Sequence, residues 1–285
     1  MFSHVHELQF EAKPDGPDAA FARRFQEVLG GKWGEMTVAM QYLYQGWNCR
    51  LPGKYKDMLL DIGTEELAHV EMITTMIARL LDAAPLTEDE AKGDSLKANW
   101  AHQNPQHYIE NGGGGYPRDS MGNPWMGAFV TASGNLYADF SLNAVAEMQG
   151  RLQVARLFHM TDDPGVKQLI RFLVTRDHMH QLQWLSACEE LKADGLEDLP
   201  VPEAFPHDEE LDEFARLYVH ASDGAQALEG RWAQGPLVDG SSPAVEATPR
   251  AHGDRPTLPP GDPRLYGTPH DASSSLLQKA KDLLP

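Results

Sequence analysis

Four stretches of this chain step their inward residues at alternating intervals of three and four, the period of a helix face packed against other helices, and all four carry a carboxylate within that face. The first reads Glu35, Ala39, Tyr42, Gly46, Cys49, and the second Leu59, Ile62, Glu66, His69, Ile73, Met76, Leu80. The later two read Leu136, Phe140, Ala144, Glu147, Arg151, Val154, Phe158, and then Ile170, Leu173, Asp177, His180, Trp184, Ala187, Leu191. Each seam is mostly apolar, so a fold that packs them must bury several acids side by side. Buried carboxylates are costly unless paired or bound to a cation, and they repel one another. Divalent cations remove both costs. The step Glu66-Leu67-Ala68-His69 sets a carboxylate and an imidazole one turn apart on one helix face, the spacing of carboxylate-bridged dimetal bundles. Glu35, Glu66, His69, Glu147 and His180 are therefore the expected metal ligands.

The connectivity points the same way. Helices are expected at about 18–29, 32–49, 54–82, 136–160 and 164–192, with Gly30-Gly31, Pro52-Gly53 and Asp162-Asp163-Pro164 as their punctuation. Between the second and third long seams lies a crossover, 84–134, rich in Gly, Pro, Asn and Ser and far longer than an ordinary helix connection. No segment shows sustained strand alternation. Two helix pairs joined by one long crossover predict an all-α fold, a ferritin-like four-helix bundle. A shorter helix is expected near 208–220. The composition then turns to Gly, Pro, Ser and Asp through 235–275, an extended C-terminal tail that cannot build its own core. We place the bundle domain at 1–230 and the tail at 231–285, wrapping the bundle or a neighbouring subunit, with residues 276–284 adding an amphipathic turn or two.

Forty-two acids against 24 bases give a formal charge of −18 and no basic stripe, which excludes nucleic acid and anionic membrane as partners. No apolar run approaches the ~18 to 20 residues of a membrane span, and the first residues lack an export pattern. Cys49 and Cys188 lie in helical patterns with no CxxC neighbour, so they read as reduced core residues of a cytoplasmic protein. His4, His6, His102, His107, His159, His207, His252 and His270 lack seam spacing and are expected to be solvated or locally hydrogen-bonded. His178 points away from the face of His180.

Three Glu and two His make a mixed oxygen and nitrogen set suited to manganese or iron, and the lack of thiolates disfavours copper(I) and structural zinc. Two divalent ions against three carboxylates keep a net positive charge, which favours a bridging solvent and leaves a position for a small ligand. Asp177, one methylene shorter than Glu, is expected to fall short of the metals and to accept or donate a proton beside that position. Redox or hydrolytic chemistry on a small molecule follows.

The residues also resemble a known family. Ala22-Arg23-Arg24, Gly30 to Glu35, Lys54 to Asp57, Gly63 to Ile73, Ser133 to Leu136, Arg151 to Val154 and Pro260 to Leu265 are similar to the non-haem manganese catalases of bacteria, and the resemblance runs from Phe2 to about Tyr266. It implies two manganese ions per subunit, with Glu35 and His69 on one, Glu147 and His180 on the other, and Glu66 bridging them. It implies that Tyr42 hydrogen-bonds the terminal glutamate, and that hydrogen peroxide is disproportionated to water and dioxygen. It also implies a homohexamer, and in part of the family a calcium ion held by residues corresponding to Asp57, Asp61, Ser222 and Gly224. For the last, the alternative is that Asp57 and Asp61 are an ordinary solvated acidic face, since His220 replaces an asparagine of that pattern. Ala146 stands where some members have arginine, and Asp177 where some have glutamate. Two other functions remain open on sequence: a di-iron ferritin-like ferroxidase or oxidase, which would normally want a fourth carboxylate ligand, and a catalase-like structural coat protein with a vestigial site.

Overall fold

A computed structural model describes residues 3–51, 53–92, 102–196, 205, 209–247, 258–259, 261–262 and 264–265. Five long helices dominate it: α1 (Ala19–Gly30), α2 (Glu35–Asn48), α3 (Lys54–Leu81), α4 (Leu136–Phe158) and α5 (Pro164–Ala193). Their starts are set by local chemistry. Asp18, Asn135 and Asp163 each accept a hydrogen bond from the backbone N–H three residues on, at 2.8, 3.0 and 2.9 Å, and Pro164 fills the first helical position of α5, where no N–H is needed. The expected start of α2 at 32 moves to Glu35, because residues 31–34 form a turn first.

The seams converge as expected, and they do so in three layers. One apolar cluster gathers Phe21, Phe25, Ile73, Met76, Leu80, Val154, Ile170 and Leu173. A second gathers Tyr42, Leu59, Ile62, Phe140, Ala144, Trp184, Ala187 and Leu191. The acids and histidines of the seams lie between the two, at the middle of α3, α4 and α5 and at the start of α2. In α3 and α4 the second cluster precedes the polar residues and the first follows them, whereas α5 runs the opposite way. Thus α3 and α4 run in the same sense, and the chain between them must return the full length of the bundle, roughly 40 Å for a helix of 28 residues. That is why the crossover is long.

Polar contacts fasten the crossover along α1 and then α2. Arg23 Nε donates to the Ser120 carbonyl at 3.0 Å, Glu27 accepts from Ser120 Oγ at 2.6 Å, and Trp125 Nε1 donates to Thr37 Oγ1 at 3.0 Å. Gly30 leaves no room for a Cβ against the Arg118 backbone, so the crossover lies directly on α1 there. Farther on, Gln41, Gln45 and Asn143 form a buried amide cluster. Asn143 Nδ2 donates to Gln45 Oε1 at 2.7 Å, and Gln41 Nε2 donates to Asn143 Oδ1 at 2.8 Å. Gln41 Oε1 then accepts from the Thr131 N–H at 3.1 Å, which pins the end of the crossover to α2.

Two expectations change. His107 is neither solvated nor hydrogen-bonded: it is fully buried in the crossover, edge-on to Tyr116 with ring centroids 5.3 Å apart, and neither ring nitrogen has a hydrogen-bond partner. The helix expected near 208–220 is one turn, Asp212–Ala215, followed by a strand β1 (Leu217–His220) that pairs in parallel with β2 (Ala244–Ala247). Four residues are too few to show alternation in sequence, and Leu-Tyr-Val-His suits a strand better than a helix. The chain also divides into two compact units, Met1–Leu196 with Gly261–Pro285, and Glu197–Pro260. Within the first unit, the Leu265 carbonyl accepts from Arg156 Nε of α4 at 3.2 Å, so Leu265 lies against the bundle. Residues 276–284 lie outside the described residues.

Burial, reinforced by the Arg23 charge, pushes the His107 imidazole down to about 4. The unfolded chain therefore takes up a proton near pH 6.5 that the folded chain refuses until about pH 4, and stability falls across that window. In metal-free protein, His107→Leu should remove about 1 to 3 kcal/mol of the stability lost between pH 7 and pH 4.5. Denaturant melts at both pH values measure this. Equal losses in the two proteins would contradict it.

Candidate metal centre

Glu35 lies in the first turn of α2, where the helix N-terminus favours a carboxylate. Glu66 and His69 sit one turn apart at the middle of α3, Glu147 on α4, and Asp177 and His180 one turn apart on α5. All six are buried. Glu66 is the hub. Its Oε2 lies 2.6 Å from His69 Nδ1 and its Oε1 2.7 Å from His180 Nδ1, so each oxygen faces a different imidazole. Glu35 reaches His69 Nδ1 at 3.7 Å, and Glu147 reaches His180 Nδ1 at 3.9 Å. Two groups of donor atoms result, Glu35, Glu66 and His69, and Glu66, Glu147 and His180, each with its atoms within 4.8 Å of one another. Glu66 belongs to both.

These atoms fit a pair of divalent cations. Both Glu66 oxygens and both Nδ1 atoms are fully buried without a hydrogen-bond partner, despite their close approach. Buried polar groups are rarely left in that state, so convergent lone pairs of this kind need a cation. The electrostatics agree. Burial, and then the Glu66 charge, push the Glu35 carboxyl up to about 8. Burial, with Glu66 and Asp177, pushes Glu147 well above the usual range. Asp177 is pushed well above it by burial, Glu35 and Glu66. Burial opposes charge on both imidazoles, but the surrounding carboxylates together outweigh it, Glu66 foremost with Glu35 beside His69 and Glu65 and Glu147 beside His180, holding His69 well above its ordinary value and His180 up to about 10. An acid cluster that holds protons for want of positive charge is suited to exchange them for metal.

Around the centre, Tyr42 donates to Glu147 Oε1 at 2.6 Å, and burial followed by Glu147 raises its phenol well above the usual value. Trp184 Nε1 also approaches Glu147 Oε1, at 3.4 Å. Asp177 joins neither donor group, and its Oδ1 is buried without a hydrogen-bond partner. Gly150 lies opposite: a Cβ there would sit 3.8 Å from Asp177 Oδ2, so α4 leaves space beside this carboxyl. Two residues were not legible in the seams. Glu65 faces His180 Nε2 at 3.0 Å, and Arg176 Nε grips Glu65 at 2.6 Å. The spacing that finds them is one turn back from each imidazole, Glu65 to His69 and Arg176 to His180.

Asp57 and Asp61 are exposed on α3, and neither joins a cluster of metal-ligating atoms among the described residues. In the second unit, Gly224 N–H donates to Ser222 Oγ at 3.0 Å, and His220 Nε2 lies 3.3 Å from the Gly224 carbonyl. No disulfide joins Cys49 and Cys188.

The family of manganese containing catalases matches residues 1–281. A manganese catalase of Bacillus subtilis is 48% identical over 270 residues, 94% of this chain and 98% of that protein. A manganese catalase of Lactiplantibacillus plantarum is 44% identical over 93% of this chain and 98% of its own length. Among solved structures, the manganese catalase KatB of Anabaena superposes with a TM-score of 0.67 at 27% identity, covering 87% of this chain and 99% of that one.

Proposed function

The chain belongs to the manganese-containing catalases and catalyses the disproportionation of two hydrogen peroxide molecules to two water molecules and dioxygen; we propose that it does so at two manganese ions held by Glu35, Glu66, His69, Glu147 and His180. The observation that carries this assignment is the single carboxylate Glu66, with one oxygen toward each imidazole. The manganese pair supplies the two-electron redox chemistry when bound. Glu66 neutralises charge on both sides of the centre. Tyr42, by donating to Glu147 Oε1, the oxygen nearest His180 Nδ1, fixes the orientation of that carboxylate. The apolar clusters on either side exclude bulk water, which strengthens every electrostatic contact between them. Asp177, buried beside Gly150 and outside both donor groups, holds a proton shed by the peroxide that is oxidised to dioxygen and passes it to the peroxide that is reduced to water.

Purified, manganese-loaded protein should carry about two manganese per chain and evolve dioxygen from peroxide without haem. Stoichiometric iron, with no oxygen evolution after manganese reconstitution, would favour the di-iron reading instead. The same proposal includes a homohexamer in the cytoplasm, with the tail of residues 231–285 wrapping the bundle or a neighbouring subunit. The exposed apolar side chains Val145, Met148, Met179, Leu182 and Leu185 on α4 and α5 support a subunit contact, and two cysteines not joined by a disulfide support a reducing compartment. For calcium, the support is Asp57 and Asp61, exposed one turn apart on α3.

A further inference from the structure

The two imidazoles of the centre are held from both sides. Their Nδ1 atoms face Glu66, and their Nε2 atoms face a second carboxylate, Glu65, whose Oε2 lies 3.0 Å from His180 Nε2 and whose Oε1 lies 3.8 Å from His69 Nε2. The rings stack at 5.7 Å between centroids with planes 22° apart, so one carboxylate can serve both. Glu65 is itself fixed. Arg176 grips it with a two-pronged contact, Nε to Oε1 at 2.6 Å and Nη2 to Oε2 at 3.0 Å, and Gln9 Nε2 donates to Oε1 at 2.7 Å.

Gln9 comes from the N-terminal segment that crosses this side of the bundle. The neighbouring Phe10 stacks on Phe172 with centroids 4.6 Å apart, and Phe172 in turn stands edge-on to His69. Gly165 at the start of α5 lets the segment pass, since a Cβ there would strike the Lys13 carbonyl. The segment is therefore seated where it can hold Glu65.

We propose that Glu65 is a positioning residue shared by both metal-binding imidazoles. Accepting from His180 Nε2 fixes the tautomer in which Nδ1 of that ring carries the lone pair, and the Glu65 charge, 3.8 Å from His69 Nε2, orients the second ring toward the centre without a hydrogen bond. Because one group does this for two rings, the two metal sites gain and lose their ions together. Gln9 and Arg176 act by holding Glu65. This inference rests on the five-ligand assignment above.

The test compares wild type, Glu65→Gln and Gln9→Ala, each purified and loaded with manganese. Manganese retention is followed against EDTA, and the electron paramagnetic resonance spectrum of the dimanganous protein is recorded. An amide at 65 offers one acceptor oxygen where two are needed, so Glu65→Gln should retain manganese about 10- to 100-fold less well, with both ions leaving in step and an altered spectrum. The melting temperature of its metal-free form should stay near that of wild type, which a purely structural role would not allow. Gln9→Ala removes a single hydrogen bond without touching either helix, and it should weaken retention about fivefold in the same direction. If Glu65→Gln does not fold, Gln9→Ala decides alone. Wild-type retention and spectrum in the folded variants, or loss of only one ion, would overturn the inference. A wild type that binds no manganese would overturn the ligand assignment, and this inference with it.

Discussion

Glu66→Ala is expected to strip the centre of both manganese ions and abolish oxygen evolution, the largest effect of any single substitution in this chain. Each Glu66 oxygen faces a different imidazole, and both donor groups include it. Without it, each side keeps one carboxylate and one imidazole, and two divalent charges face two negative ones inside a buried site. The metal-free fold should survive, because the substitution removes a fully buried carboxylate whose oxygens have no hydrogen-bond partner. Metal analysis of the purified variant, alongside its thermal melt, separates the two effects. His4→Ala serves as the contrast: His4 is exposed, approaches Glu71 at 2.9 Å, and should leave metal content unchanged. Normal manganese in the Glu66 variant would place the centre elsewhere.

Asp177→Asn should keep both ions and lower turnover by roughly 10²- to 10⁴-fold, the loss expected when a positioned acid or base is removed. The amide preserves size and burial but can neither take up nor release a proton. Asp177→Glu restores the longer side chain seen in some relatives and should keep substantial activity. Steady-state oxygen evolution, normalised to bound manganese, measures both variants. Loss of a metal ion in Asp177→Asn would make Asp177 a ligand. Full activity with both ions present would move the proton to Glu35, Glu147 or the bridging solvent.

Much of this architecture is legible in the sequence because burial and helical period leave a joint mark. Glu66, His69, Glu147 and His180 announce themselves by interrupting apolar seams, and those same seams fix which helix faces meet. The crossover shows its length in sequence, but its purpose emerges only from the structure, where α3 and α4 run in the same sense. Glu65 and Arg176 stand one position off their seams and look like ordinary surface charges until the imidazoles are seen to turn their outer nitrogens toward them. His107 carries no periodic signal at all. It sits in an irregular segment, and its burial follows from how that segment lies on α1. The strands β1 and β2 are not legible in the sequence, because four residues apiece, paired across a long gap, leave no local pattern.

In the ligand assignment above, Glu66 joins the two manganese sites. Crystals of the manganese-loaded protein measured on either side of the manganese absorption edge would locate every such ion directly. Two anomalous peaks per chain are predicted, flanking Glu66, one bounded by Glu35 and His69 and the other by Glu147 and His180. A single peak, or peaks that do not share Glu66, would contradict the account.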